Sequence, residues 1–246
     1  TDIAMARDVV VDASNNIYVC GGLFNGNWDL LAVKFDKNGS RLWSKTVNCT
    51  GDDTDVAAAI CVTPSGAVTI AGSSKRTAYN HDIVTAKFDK DGRHLWLKAF
   101  NGRKNGDDGL GGLALDAKGN AYVTGWTTVA AVDWDFATMK YGPSGKTLWT
   151  KTYHGPTEGD YGRTIALDRS GNAYVVGESR NERGNDDITT LKYDPAGKAR
   201  WGLRYDGPGL VDDIPSAIVL DAAGNIYIAG TCGGSGTGTD FVLIKY

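Results

Sequence analysis

The chain repeats itself five times, and this constrains its fold more than any single motif. Glycines recur at Gly21, Gly72, Gly125, Gly177 and Gly230, in steps of 51, 53, 52 and 53 residues. Lysines recur at Lys34, Lys87, Lys140, Lys192 and Lys245, in steps of 53, 53, 52 and 53. Two unrelated landmarks share one period, so the repeat is a structural unit. A period of this length, made of several short apolar runs, points to a propeller of small sheets. The units fall near 1–51, 52–104, 105–157, 158–209 and 210–246, and together they make a single domain.

Each unit opens on a short apolar run, such as Ile60-Cys61-Val62 or Leu113-Ala114-Leu115. Unbroken apolar residues over so short a length suggest a strand covered on both faces. A tight turn follows, DAKGN at 116–120 and DRSGN at 168–172, where Gly and Asn accept a left-handed backbone. A second strand, a variable loop and a third strand come next. The third strand opens at Asp29, Asp82, Asp135, Asp187 or Asp240. After another turn, a fourth strand carries Trp43, Trp96, Trp149 or Trp201. Nothing here has helical periodicity. The expected fold is all-β: a five-bladed β-propeller of four-stranded antiparallel blades, the last lacking its fourth strand. Blade five is expected to close the ring on blade one. Small residues on the first strand suit the axis, and a tryptophan on the fourth fills the wedge at the rim. Removing one, as in Trp149→Ala, is expected to cost ~3–5 kcal/mol.

The joint pattern is DxxGNxYxxG, a strand-three Asp with a Lys-aromatic pair five residues on, and a following Trp. Recurring in register, in full or in part, through the five units, it resembles the bacterial beta-propeller repeat known as SBBP. The resemblance implies a propeller, usually in secreted or cell-surface bacterial proteins, and implies no catalytic set. An extracellular or cell-surface location is the corresponding expectation.

With a net charge of −3 and no basic block, nucleic acid is a poor partner for this chain. No apolar run approaches the roughly 18 residues of a membrane span. The four cysteines sit at core or loop positions without a CxxC pair, so no zinc site and no disulfide is expected, Cys20 and Cys232 included. No cofactor is implied.

Short turns lie on one end of the blades, and the variable loops share the other. Asp55, Asp108, Asp160 and Asp213 recur there, together with the strand-three aspartates. Recurrence in every unit favours a structural role, each Asp accepting backbone N–H groups. No DxDxDG run supplies Ca²⁺ ligands. The weak metal candidates are Asp53, Asp55, Asp107 and Asp108. The lysines are expected to pair with the carboxylates ending strand one, Asp12, Asp116, Asp168 and Asp221.

Departures from the repeat are the better functional signal. Trp28 and Trp134 precede the strand-three Asp, Trp126 follows the repeat glycine, and Tyr79 and His81 occupy the second variable loop. Aromatics beside Asn and Asp suit sugar faces or protein hot spots, and equally suit loops packed on one another. Arg180, Glu182 and Arg183 read as a solvated loop. The first expectation is a non-catalytic propeller that engages a protein partner or assembly through its loop face. A carbohydrate-binding propeller, with a glycan as partner, is the alternative. A glycosidase ranks third, because no odd carboxylate pair stands out.

Overall fold

The computed structural model describes residues 3–49, 54–77, 80–131, 133–234 and 238–246. Among them, nineteen strands form five antiparallel sheets, and there is no helix. Blade one holds β1 (Ile3–Val11), β2 (Ile17–Phe24), β3 (Trp28–Phe35) and β4 (Arg41–Val47). Blade two holds β5 (Asp55–Val62), β6 (Val68–Thr77), β7 (Asn80–Phe88) and β8 (His94–Phe100). Blade three holds β9 (Asp108–Leu115), β10 (Ala121–Ala130), β11 (Asp133–Tyr141) and β12 (Thr147–Tyr153). Blade four holds β13 (Asp160–Leu167), β14 (Ala173–Arg180), β15 (Asp186–Tyr193) and β16 (Ala199–Tyr205). Blade five holds β17 (Ile214–Leu220), β18 (Ile226–Gly234) and β19 (Gly238–Lys245), so it is the three-stranded blade. Every sheet is a meander in chain order.

The turn aspartates set the hairpins. Asp12 accepts from the Ser14 and Asn16 N–H groups at 2.8 and 2.9 Å and from the Tyr18 hydroxyl at 2.9 Å. Asp168 and Asp221 do the same in their blades. Burial pushes the Asp12 pKa up, but the bonds from Asn16, Tyr18 and Ser14 outweigh it and hold the carboxyl down at about 2. The carboxylates are thereby occupied, and the lysines turn elsewhere. Lys140 donates to the Pro195 carbonyl at 2.9 Å and Lys87 to the Gly119 carbonyl at 2.9 Å, each in the next blade. The expected pairing survives only as a 4.0 Å approach of Lys140 to Asp116. Lys140 and Lys192 also lie over the rings of Tyr122 and Tyr174 at 4.6 and 4.7 Å.

The core lies between the blades. Leu30 and Ala32 of blade one pack with Ile60, Ile70 and Phe88 of blade two, and the next three junctions repeat the arrangement. The fourth-strand tryptophans cross these junctions. Trp43, Trp96 and Trp149 donate their indole N–H to the carbonyls of Lys90, Pro143 and Pro195 at 3.2, 2.9 and 3.2 Å. Each indole lies against a turn glycine of the next blade. A Cβ on Gly145 would stand 2.7 Å from the Trp96 ring, and its φ of 83° already excludes most side chains. Nearer the axis the first strands almost touch, and a Cβ on Gly111 would overlap the Gly162 carbonyl. All four cysteines are free, as expected.

Closure is the expectation that fails. Blades one to four each pack on their successor, and blade five packs on blade four. No packing layer joins blade five to blade one among the described residues. Val9 is 59% exposed where Ile60, at the same place in blade two, is buried. Phe241 is 74% exposed where Phe136 is fully buried. The five blades form an open arc. Each described junction packs two matched faces with a fourth-strand tryptophan between them, and no such packing brings β17, β18 or β19 against β1 to β4. Cys20 and Cys232, expected in neighbouring blades, are therefore not neighbours.

Candidate functional site

The recurrent carboxylates at the loop end hold the framework together. Asp55, Asp108, Asp160 and Asp213 are almost fully buried. Each accepts the backbone N–H of the second residue after the preceding blade's fourth strand: Cys49 at 2.7 Å, Gly102 at 2.7 Å, Gly155 at 2.6 Å and Gly207 at 2.6 Å. This accounts for Asp55 and Asp108 among the metal candidates. Asp107 is taken by His81, whose backbone N–H and ring Nδ1 lie 3.0 and 2.8 Å from its Oδ1. That pair ties blade two to blade three within the chain. Asp53 and Tyr79 lie outside the described residues.

Two further clusters bring three ligand-type side chains within 4.8 Å: Asp133, Asp135 and His154, and Asp187, Asp206 and Asp213. Protein donors already serve them. His154 lies 2.9 Å from Asp135, and that hydrogen bond raises its pKa despite partial burial. Asp187 accepts from Asn181 and Arg204 at 2.7 and 2.9 Å, and Asp213 from Gly207 and Gly233. Neither cluster is assigned a metal.

The structure brings two of the predicted aromatics together and leaves Trp28 apart. Trp28 packs on Phe24 in blade one, with ring centroids 5.6 Å apart. Trp126 and Trp134 meet edge to face at 6.3 Å in blade three. Tyr161 of blade four completes the cluster, stacked on Trp134 at 5.7 Å and edge-on to Trp126 at 5.8 Å. Gly109 makes this possible, because a Cβ there would overlap the Trp126 indole. Trp126 can thus lie across its own sheet and reach the next blade.

Beside this cluster is a cleft of about 320 Å³, lined by Trp134, Glu158, Gly159, Tyr161, Arg180 and Asp186. Asp186 opens β15. Its backbone N–H donates to Asp212 Oδ1 at 2.9 Å, and Asp213 N–H returns a bond to the Asp186 carbonyl at 2.7 Å. This exchange holds the link to blade five against the loop of blade four. Burial, then the charges of Asp212 and Glu178, push the Asp186 carboxyl up to about 6, although Arg180 pulls it down. Arg180 stands 4.0 Å from Asp186 and donates through Nε to the Gly184 carbonyl at 3.0 Å. It lines the rim of the cleft and stays exposed, in keeping with its reading as solvated.

Behind the cleft, Arg163 pairs with buried Glu178, its Nε 3.1 Å from Oε1. The second oxygen, Glu178 Oε2, is buried without a hydrogen-bond partner among the described residues. Arg163 occupies a β-bulge that all five first strands share, between Gly162 and Thr164 here. The guanidinium also lies 5.4 Å from the Tyr161 ring centre.

Tyr161, Glu158, Glu178, Arg163, Arg180 and Asp186 were not legible as a site. One signal was present. Glu178 stands where the other units have Gly22, Ser73, Trp126 and Thr231, and Tyr161 where two have Val56 and Gly109. Both are large departures on facing positions of one strand pair.

Comparison with known proteins matches residues 149–182 to the family described as SBBP, the beta-propeller repeat. No curated protein matches the sequence. Solved structures share the fold at low identity. Extracellular domains of Drosophila Semaphorin 1b align with TM-score 0.57 and 11% identity, over 99% of this chain and 52% of that one. A puromycin hydrolase S511A mutant aligns with TM-score 0.55 and 13% identity, over 98% of this chain and 36% of that one. A gluconolactonase from Xanthomonas campestris aligns with TM-score 0.49 and 15% identity, over 98% of this chain and 72% of that one. The chain thus spans about half of the semaphorin chain and about a third of the hydrolase. These likenesses show the fold alone. They overturn the expectation of a non-catalytic interaction module, with glycan binding as its alternative. A chain named as a puromycin hydrolase carries the same architecture, so the fold gives no ground for that reading. It is set aside.

Proposed function

We propose that the cleft between blades three and four binds a small organic cation with a flat apolar body. The observation that carries this reading is Asp186, a carboxyl raised to about 6 at the edge of a stacked Trp134–Tyr161 pair. Burial raises it first, and the negative charges of Asp212 and Glu178 raise it further. Four carboxylates, Glu158, Glu178, Asp186 and Asp212, stand in and around the cleft against two guanidiniums, Arg163 and Arg180. A bound cation relieves that repulsion, and the rings provide an apolar wall with a negative face. The volume falls at the lower end of the range for small-molecule sites. None of these side chains is required by the repeat, so the site is single and asymmetric.

Benzyltrimethylammonium is a suitable probe, followed by tryptophan fluorescence and calorimetry, with benzoate and glucose as comparison ligands. Saturable binding of the cation alone is expected, weakened at least ten-fold in Asp186→Asn and in Trp134→Ala. Because the ionised carboxylate is the binding form, affinity should rise from pH 5 to pH 7. Equal binding of benzoate, or binding unchanged in both variants, would reject the reading.

A further inference from the structure

On the side of the fourth strand away from its tryptophan, blade four breaks the repeat twice. One residue before the tryptophan stand Leu42, Leu95 and Leu148, where blade four has Arg200. One residue after it stand Ser44, Leu97 and Thr150, where blade four has Gly202. Neighbours two apart on a strand share a face, so both changes fall on one surface. Gly202 pairs with Leu191 of β15, and Leu97 with Ala86 of β7. Each pair holds one leucine, but in blade four it has moved to the inner strand. Leu97, on the outer strand, packs against the core between blades one and two. Between blades three and four the inner layer is filled by Leu191, 5% exposed, and the outer layer is missing.

What remains is a groove of about 570 Å³ at the rim, between β12 and β16. Tyr153, Leu191 and Tyr193 give it an apolar floor, and Lys151, Lys198 and Arg200 line its sides. Asp194 holds Arg200 at 2.7 Å. Lys151 and Lys198 are exposed and have no carboxylate partner among the described residues. The volume suits a small-molecule site, and the chemistry is apolar within and basic at the mouth.

We propose that this groove binds an anionic amphiphile, an alkyl carboxylate whose chain lies on Tyr153, Leu191 and Tyr193 and whose carboxylate is met by Lys151, Lys198 and Arg200. The chain takes the place of the outer leucine that blade four lacks, and the carboxylate supplies the counter-charge that the two lysines lack. The groove shares no lining residue with the loop-end cleft, so this site is separate from the cation site there.

Calorimetric titration of the 246-residue chain with decanoate tests this, with decyl maltoside as the uncharged comparison and both kept below their micelle concentrations. Decanoate should bind saturably, one per chain, and more weakly as salt is raised. Decyl maltoside should bind roughly ten-fold or more weakly, for want of the charge. The double variant Leu191→Ala/Gly202→Leu copies the blade-two pair, keeps one leucine in the junction and fills the groove. It should keep the parent's circular dichroism and lose decanoate binding. Lys151→Glu and Lys198→Glu, at exposed positions, should each weaken decanoate roughly ten-fold or more. The proposal is overturned if decanoate does not bind, binds no better than decyl maltoside, or binds the charge-reversed variants as it binds the parent. Binding retained by the folded double variant would overturn it equally.

Discussion

Between about pH 4 and pH 6 the folded chain holds a proton on Asp186 that the unfolded chain has already released, taking about 3.9 as the unfolded pKa. The folded state therefore binds more protons in that window, and stability falls as pH rises through it. The penalty is absent below about pH 4 and fully present above about 6. Asp186→Asn should accordingly leave the melting temperature unchanged at pH 3.5 and raise stability at pH 7. The gain should be about 1 kcal/mol, after allowing for solvent screening in an open cleft. Thermal melts at the two pH values would check it, and a variant less stable at pH 7 would contradict the assigned environment. The turn aspartates are the opposite case. Asp12 and Asp221, both held near 2 by hydrogen bonds, stabilise the hairpins above about pH 4 and lose that contribution as pH falls toward 2. One residue type thus serves the fold in the turns and strains it in the cleft.

At the scale of the element, the fourth strand is what joins one blade to the next. Trp96 on β8 is 8% exposed, stands against the Gly145 turn and donates to the Pro143 carbonyl. Trp149 on β12 makes the same contacts but is only half-buried. Trp96→Ala should therefore cost about 3–5 kcal/mol in chemical denaturation, and Trp149→Ala less than the ~3–5 expected from the repeat alone. Equal losses would mean that the hydrogen bond, and not burial, dominates. Strand order, turn positions and the structural aspartates were legible because each is a local rule repeated four or five times, as with Asp116 before Gly119-Asn120. The cleft was not. Tyr161 and Glu178 lie on facing strands, Trp134 and Asp186 on different blades, and only the packing of blade four on blade three brings them together. The contact of His81 was hidden for the same reason: Asp107, its hydrogen-bond partner, belongs to the neighbouring blade.

The whole molecule is an open arc with one singular mouth. Five similar blades supply similar loop ends, yet among the described residues a stacked aromatic pair with a carboxyl raised to about 6 beside it is seen where blades three and four meet. Openness was not legible either, because a period reports how many blades there are and not the angle between them. Val9 and Phe241 fill core positions of the repeat and are exposed on the first and last of the five blades. The account stands or falls on the mouth being unique. Hydrogen exchange with and without benzyltrimethylammonium measures this along the whole described chain. Slowed exchange is predicted at residues 156–162 and 178–187, with none at the equivalent loops of blades one and two. Protection spread over all the loop ends, or confined to a different junction, would contradict it.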